Sequence, residues 1–304
     1  MKRYKGQLLL LLAAVIWGSA YIFQKMGMDY VGPFTFGFFR FTIGAAALVP
    51  VIMLMDRAAG RSRIKGKEKR GQNGGRELLI GSVLCGLTQF GAGSVQQIGL
   101  IYTTAGKAGF ITSMHIVIVP LLMIFLRRRV GLFTWIGVAV AVFGMYLLCL
   151  SGTSRLQLGD GLELASALIY AIQILLIDYY AVRTEPTRLA SLQFLIAGLL
   201  SGAVMLFFED FSWSAVVACA VPILYTGLLE VAAAYTLEIF GQRTTPPAVT
   251  AIILSLEAVF SVICGALVLG EQMSGRETLD CVVMMAAFLV AQVGGLRPQK
   301  GKAG

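Results

Sequence analysis

Residues 7–26 read QLLLLLAAVIWGSAYIFQKM, and Lys25 carries the only formal charge in this run. An α-helix rises about 1.5 Å per residue, so a helix of about 20 apolar residues crosses the hydrocarbon core of a bilayer. The stretch therefore predicts a membrane-spanning helix. Trp17, Tyr21 and Gln24 fall on one face of that helix, which predicts that this face meets something other than lipid.

The basic residues before this run allow a second interpretation. Lys2, Arg3 and Lys5 precede the apolar run, and a small-residue triplet at 18–20 could serve as a signal-peptide cleavage site. Trp17 and Gln24 are unusual in the plain apolar core of a signal peptide. We therefore interpret the segment as a retained first helix.

The rest of the chain repeats the same pattern. Of its 304 residues, 57% are apolar and 13% are charged, whereas soluble domains average about 45–50% and about 25%. Lipid-spanning barrel strands alternate over only about ten residues, so these runs predict an all-α, polytopic membrane protein with ten transmembrane helices. The predicted helices cover 7–26, 34–55, 78–98, 107–126, 131–150, 159–179, 189–208, 215–238, 247–269 and 276–294.

Lysine and arginine cluster in alternate connections between these helices, which is typical of cytoplasmic loops. With the N-terminus inside, all but five of the 25 basic residues fall within cytoplasmic segments. The exceptions are Lys25 and Arg40 within spans, and Lys107, Arg155 and Arg276 on the opposite side. A missed helix would invert the pattern beyond the error. We therefore predict an inner (cell) membrane protein with both termini cytoplasmic.

The connection 56–77 is the one long hydrophilic segment, and it is basic and rich in glycine. We interpret it as the cytoplasmic topology signal, with contact to anionic lipid headgroups as the alternative. No aromatic residue interleaves its charges, so we expect no nucleic-acid binding. Gly60 and Gly66 are one residue too far apart for a phosphate-binding loop, and Glu68 follows Lys67 where Ser or Thr is required. We expect no ATP site and no cofactor.

Metal and disulfide chemistry also lack support. The five cysteines fall inside predicted spans without C-x-x-C spacing, and the chain has one histidine, His115. Cysteines in such positions are typically small buried hydrophobes. We therefore predict no metal site.

The chain can be aligned on itself as two halves. Ala14-Val15-Ile16-Trp17 matches Ala167-Leu168-Ile169-Tyr170, and Gly44 matches Gly198 in the second helix of each half. Five spans per half is an odd number, so the second half would cross the membrane in the opposite direction. Many secondary transporters use such an inverted repeat around a central site. We predict five-helix repeats at 7–150 and 159–294 and a basic cytoplasmic tail at 295–304.

Five short motifs occur in a characteristic order along the chain. They are Trp17-Gly18-Ser19, Phe39-Arg40-Phe41, Gly159-Asp160, Ser255-Leu256-Glu257 and Leu269-Gly270-Glu271. In this order they resemble the drug/metabolite transporter superfamily, specifically proteins with two EamA-type domains, over essentially the whole chain. The resemblance implies import or export of small metabolites by alternating access, without ATP.

The chain departs from the family pattern at two places. Ala258 stands where the family usually has proline, and residues 127–129 are arginines where the family has Gly-Glu. Pro120 follows His115 in predicted helix 4. We expect a kink at Pro120 in place of the missing proline.

Three ionisable side chains lie near the middle of predicted spans, where lipid would make them costly. These are Glu257, Glu230 and His115. Glu257 could carry a proton or serve as counter-ion to a cationic substrate, or neighbouring hydroxyls and amides could hold it in a purely structural role. Glu230 is equally compatible with a substrate site and with helix packing. His115 could titrate near neutral pH or act as a hydrogen-bonding core residue.

Polar and aromatic side chains at helical spacing extend this candidate site. Such groups suit a cavity wall that offers stacking and hydrogen bonds, and packing between helices or an interfacial belt is the alternative. Ser261 shares a small polar stripe with Glu257, and Gln96 and Gln97 are further amides that are predicted to face the cavity or a neighbouring helix. The remaining candidate substrate-binding residues are Trp17, Tyr21, Gln24, Gln89, Tyr170 and Gln173.

Other charged residues are predicted to be structural. Arg40 is close enough to the outer end of helix 2 to extend its head to the surface. It could also pair with an anion or with a carboxylate such as Asp29, and we expect a structural pair. Several acidic side chains lie close to predicted helix ends, where water is near, and receive no functional role. They include Asp160, Glu163, Asp178 and Glu238.

These patterns favour a carrier for a small amphiphilic metabolite, such as an amino acid or an amine, with the proton as candidate coupling ion. A channel or a lipid scramblase is the alternative. An intramembrane enzyme is disfavoured, because the chain has no H-E-x-x-H pair, no paired mid-membrane aspartates and no Ser/His pair at matching depth. The expected partners are the substrate, membrane lipid and protons.

Overall fold

The computed structural model describes residues 2–63, 74–103, 105–128, 130–149, 158–269, 279, 282, 283 and 286. Over these residues the chain forms helices joined by short connections, and it has no strand there. Large apolar side chains such as Leu54, Leu199 and Phe207 are exposed on the outside of the bundle, whereas Arg40 and Gln89 are buried inside it. A lipid environment accounts for this arrangement, because polar groups in hydrocarbon must be satisfied within the protein.

The helices follow the predicted order. They are α1 (Lys2–Gly27), α2 (Pro33–Arg63), α3 (Gly74–Tyr102), α4 (Ala105–Thr112), α5 (His115–Phe125), α6 (Leu132–Cys149), α7 (Leu158–Tyr180), α8 (Pro186–Phe208), α9 (Trp213–Ala218), α10 (Ala220–Tyr225), a π-helical segment (Thr226–Ala234), α11 (Tyr235–Gln242), α12 (Pro247–Leu254) and α13 (Glu257–Leu269).

The apolar lengths of these helices suit a membrane. Within the described residues, eight helical stretches are long and apolar enough to cross a bilayer. They correspond to predicted helices 1–4 and 6–9, and α6 corresponds to predicted helix 5 without being among the eight. Predicted helix 10, at 276–294, lies almost wholly outside the described residues. The protein is thus an all-helical, multi-pass membrane protein.

Predicted helices 4 and 9 are each broken in the middle. In helix 4, α4 ends at Thr112 and α5 begins at His115. In helix 9, α12 ends at Leu254 and α13 begins at Glu257. The break in helix 4 comes before His115 rather than at the predicted Pro120, which lies within α5.

A serine begins each break. The Ser113 hydroxyl donates to the Gly109 carbonyl at 2.8 Å, and the Ser255 hydroxyl donates to the Ile252 carbonyl at 2.8 Å. Such bonds from a serine to the preceding turn bend helices. The two breaks also meet, because the Ser113 hydroxyl lies 3.3 Å from the Ser255 carbonyl oxygen.

Predicted helix 8 is irregular along its length. It is interrupted at Cys219, and Thr226–Ala234 forms a π-helix. The Thr226 hydroxyl donates to the Pro222 carbonyl at 2.8 Å, and the Thr226 N–H donates to the same carbonyl and to that of Ile223. π-helical turns are rare and occur frequently at functional sites. This one carries Glu230.

The helices of the two halves interleave. α2 packs along α8, α3 packs along α7, and α1 packs along the π-helical segment and α11. α1 also contacts both pieces of broken helix 9, while α7 contacts both pieces of broken helix 4. Exchanging the halves therefore leaves the pattern of helix contacts nearly unchanged.

Candidate functional site

A polar cavity lies inside the bundle, where α1, α3 and α7 meet the two broken helices and helix 8. Its volume is about 40 Å³, which is room for about three water molecules. A metabolite would therefore require the helices to separate. Eight of the ten predicted site residues line the cavity: Trp17, Tyr21, Gln24, His115, Tyr170, Gln173, Glu230 and Glu257.

The other two predicted residues lie outside the cavity lining. Gln89 is directly behind the wall, where its amide oxygen accepts from Gln173 Nε2 at 2.7 Å and its Nε2 donates to the Tyr235 hydroxyl at 3.1 Å. The Ser261 hydroxyl donates to the Ala258 carbonyl at 2.8 Å within its own helix. Gln89 thus supports the wall, whereas Ser261 bonds to its own backbone.

The cavity wall also contains residues that sequence analysis did not assign to the site. Gln96 is predicted only as a cavity or interhelix amide, and it lines the cavity. Tyr235 follows the π-helical segment directly. No sequence signal predicted that segment. The unassigned lining residues are Gln96, Thr112, Ile174, Tyr235, Glu238 and Leu254.

Hydrogen bonds connect the wall across helices. The Tyr170 hydroxyl donates to Gln96 Oε1 at 3.2 Å, and Gln96 Nε2 donates to the Tyr21 hydroxyl at 3.1 Å. The Tyr170 and Tyr235 hydroxyls are 3.5 Å apart, and the Trp17 ring lies 4.7 Å from the Tyr235 ring, centroid to centroid. Both halves of the chain therefore contribute to one polar and aromatic wall.

Arg40 and Glu230 form a buried ion pair beside the cavity. Arg40 Nη1 lies 3.1 Å from Glu230 Oε1, and the two side chains are 1% and 5% exposed. The guanidinium also lies 4.6 Å from the centroid of the Phe41 ring, a favourable cation–π distance. The predicted structural pair with a carboxylate is therefore confirmed, but the partner is Glu230 and not the candidate Asp29, and the guanidinium does not extend to the surface. The π-helical segment brings Glu230 to it from 190 residues away.

Glu257 occupies the first turn of α13, directly after the break in helix 9. Its side chain is buried, and the Tyr21 hydroxyl is its hydrogen-bonding neighbour. Among the described residues Glu257 has no ion-pair partner. A carboxyl in this position can exchange a proton with the cavity or attract a cation.

His115 begins α5, and its ring bonds to the backbone on both sides. Nδ1 lies 2.9 Å from the Thr112 carbonyl oxygen and Nε2 lies 3.2 Å from the Ala251 carbonyl oxygen. A neutral imidazole has one N–H and can donate to only one of these two acceptors. The ring thus joins the two broken helices while one edge borders the cavity.

Two further glutamates are buried although their predicted positions near helix ends implied solvation. Glu163 accepts from the Thr112 hydroxyl at 2.9 Å, and Glu238 accepts from Gln242 Nε2 at 2.7 Å. Both side chains are buried, and so is Asp160, which accepts from Thr103 at 3.1 Å. The expectation that water solvates these three side chains is wrong, because neighbouring helices cover the ends of α7 and α11.

Comparisons with known proteins agree with this architecture. The EamA-like transporter family matches the chain twice, at residues 4–150 and 157–292. An uncharacterized transporter of Archaeoglobus fulgidus is 29% identical, over 96% of this chain and 87% of its own length. The uncharacterized transporter YwfM of Bacillus subtilis is 27% identical, over 95% of this chain and 94% of its own length.

A solved crystal structure has the same fold. It superposes with a TM-score of 0.75 at 18% sequence identity, covering 96% of this chain and 97% of the other. The two matches to the family model together span nearly the whole sequence. The chain therefore belongs to the EamA-like transporter family.

Proposed function

We propose that this protein is a secondary transporter that moves a small metabolite, such as an amino acid, an amine or a similar amphiphile, by alternating access. The observation that carries the proposal is the polar cavity inside an apolar bundle, with walls from both halves of the chain. Concave sites with aromatic walls and a few converging polar groups are typical of small-molecule binding.

The arrangement of the halves supports alternating access. We propose ten membrane helices in two inverted repeats of five, and the near-invariance of the helix contacts under exchange of the halves favours this arrangement. The equivalent breaks in helices 4 and 9 favour it as well. Discontinuous helices beside a central site are a recurrent feature of inverted-repeat transporters.

The charge balance of the interior supports a cation or a proton as the transported or coupled species. The buried acidic side chains of the described residues outnumber the buried basic ones: Asp160, Glu163, Glu230, Glu238 and Glu257 against Arg40 and His115. Arg40 is committed to Glu230. An unpaired buried carboxylate is costly, so Glu257 favours a bound proton or an organic cation. We propose that Glu257 carries the coupled proton.

The orientation follows from the basic residues. We propose that the protein lies in the inner membrane with both termini cytoplasmic, because that orientation leaves only Lys107, Arg155 and Arg276 on the opposite side. Arg128 and Arg188 then lie at the cytoplasmic surface, where they pair with Asp178 and Asp56.

Reconstitution tests the proposal. A thermal-shift screen of purified protein against metabolite pools would identify ligands, and uptake of the hits into liposomes would follow. We expect saturable uptake that is stimulated by unlabelled substrate on the opposite side. Ion conductance without saturation would indicate a channel, and lipid movement without substrate uptake would indicate a scramblase. Either result would contradict the proposal.

A further inference from the structure

We infer that Glu163 and Glu238 are proton-binding sites on opposite sides of Glu257, and that the three carboxyls form a route for protons along the bundle. This inference rests on the proposed function, in which Glu257 carries the coupled proton. It adds Glu163, which is not among the cavity-lining residues, gives Glu238 in the cavity wall a second role, and identifies the proton as the ligand of both.

The two outer carboxyls lie toward opposite ends of α1. Gly6, near the start of α1, lies against Gly241, which follows Glu238 by less than one turn of α11. Lys25, near the end of α1, donates to the Thr103 carbonyl at 3.0 Å. From Gly6 to Lys25 the helix rises about 28 Å, close to the thickness of a bilayer core.

Glu163 lies near the end of α1 that carries Lys25, and Glu257 lies between the two ends of that helix. Glu163 lies against Gly99, one turn before Thr103 in the chain. Gly18, well inside α1, lies against the backbone of Glu257. The three carboxyls therefore follow one another along the bundle in the order Glu163, Glu257, Glu238.

Hydroxyl groups link Glu163 to Glu257. The Thr112 hydroxyl donates to Glu163 at 2.9 Å, and the Tyr21 hydroxyl is a hydrogen-bonding neighbour of both Thr112 and Glu257. Each hydroxyl can release one proton while it accepts another. One proton taken up at Glu163 is then matched by one delivered to Glu257, while each hydroxyl breaks one O–H bond and forms another.

The cavity links Glu257 to Glu238. Both side chains line it, and the charge of Glu238 acts on Glu257. The volume of about 40 Å³ admits water molecules, which can carry a proton between the carboxyls. Between Glu257 and Glu238, water therefore has the proton-carrying role that the Thr112 and Tyr21 hydroxyls have between Glu163 and Glu257.

Other charged groups near Glu257 are already engaged. Glu230 pairs with Arg40 at 3.1 Å, and both ring nitrogens of His115 face backbone carbonyls. Glu163 Oε1 and Glu238 Oε2 are buried without a hydrogen-bond partner among the described residues, as is Glu230 Oε2, but Glu230 has Arg40 beside it. Neither Glu163 nor Glu238 has an ion-pair partner within those residues. A proton satisfies such a group, because it neutralises the charge and adds a donor.

Infrared spectroscopy of the purified protein in lipid nanodiscs tests the inference with protons and heavy water as the only probes. The absorption of protonated carboxyl groups would be followed as pH rises, and its shift would be timed after transfer into heavy water. We expect Glu163→Gln and Glu238→Gln each to remove part of the protonated-carboxyl absorption that survives at neutral pH. The exposed Asp210→Asn variant is the matched control and should leave it unchanged.

The outcomes separate this inference from the proposed function. If Glu257→Gln alone reduces the absorption, Glu163 and Glu238 do not bind protons and the inference is overturned, while Glu257 can still couple transport. If the outer variants reduce it and Glu257→Gln does not, the route lacks its middle site. That result overturns both the inference and the coupling role of Glu257.

Thr112→Val guards against a glutamate variant that fails to fold. It removes the hydroxyl that joins Glu163 to the route and keeps every carboxyl. We expect the protonated absorption to persist. With the path through Glu238 closed by Glu238→Gln in the same protein, we expect exchange of the Glu257 signal to slow by about 100-fold, the scale of a lost positioned proton donor. Exchange at the unmodified rate would overturn the hydroxyl link between Glu163 and Glu257.

Discussion

In the first half of the chain the residue that follows the helix break is His115, and in the second half it is Glu257, although the two breaks have the same form. The histidine ring faces backbone carbonyls with both nitrogens. The glutamate borders the cavity without an ion-pair partner among the described residues. Equivalent backbone positions therefore hold a structural bridge in one half and an available carboxyl in the other.

The same contrast extends through the bundle. Gln96 precedes Ser113 by as many residues as Glu238 precedes Ser255, so an amide in the first half corresponds to a carboxyl in the second. Every buried acidic side chain in the described residues belongs to the second half, and the buried arginine and histidine belong to the first. The repeat thus sets the backbone geometry, while its divergence places the buried acidic side chains in one half of the chain and the buried basic ones in the other.

The largest effect is expected from neutralising the carboxyl at the second break. Glu257→Gln should abolish uptake driven by a pH gradient and preserve folding, because the amide keeps the shape of the side chain and cannot bind the proton. Uptake into liposomes across pH measures this, with thermal melting as the folding control. Transport at the wild-type rate across pH would remove the coupling role.

The charge separation between the halves can be tested at the ion pair. Arg40→Met should lower the free energy of unfolding by about 3–5 kcal/mol, because it leaves Glu230 buried without its partner. Adding Glu230→Gln should restore much of that loss, since no uncompensated charge remains. Reversible unfolding of the single and double variants measures the coupling, and additive losses would show that the pair is not coupled.

A smaller effect is expected where α1 meets the second break. A Cβ at Gly18 would lie 2.7 Å from the Glu257 carbonyl oxygen, so Gly18→Ala should cost about 1–3 kcal/mol of stability by overpacking. Ala171 holds the equivalent place in α7 and is buried. Ala171→Ser is the matched control, because it enlarges the equivalent side chain beside the break in helix 4. Equal melting temperatures for Gly18→Ala and the wild type would contradict the close approach.

The smallest losses of stability are expected from removing the hydroxyls of Ser113 and Ser255, the serines at the two breaks. Ser255→Ala should cost about 1 kcal/mol, the net value of one hydrogen bond. Ser113→Ala should cost somewhat more, because its hydroxyl also lies 3.3 Å from the Ser255 carbonyl oxygen. Thermal melting of both variants gives the comparison. A greater loss for Ser255→Ala would show that the contact between the breaks contributes little.

The helices themselves were predictable because the apolar run length is a strong local signal. The observed α1, α2, α3, α7 and α8 cover the predicted segments and extend them by a few residues. The breaks were not predictable, since single serines occur in many unbroken helices. The π-helical segment begins where the Thr226 hydroxyl and N–H share the Pro222 carbonyl, and no residue pattern indicates this.

The candidate site was partly predictable for a related reason. Side chains such as Glu257 and Tyr170 stood out because lipid penalises them in the middle of a span. Glu163 and Glu238 lie nearer to helix ends, where the sequence cannot show whether water or another helix covers them. The correspondence between Gln96 and Glu238 within the repeat was the signal that could have directed attention to Glu238.

The sequence by itself determined that this chain is a helical membrane protein with polar groups inside, because the cost of polar groups in lipid depends on residue type and run length. Only the tertiary structure decided which of those groups meet. Arg40 pairs with Glu230 rather than Asp29, and three carboxyls follow one another along α1. Such pairings depend on distances between helices far apart in the chain, which local sequence patterns do not encode.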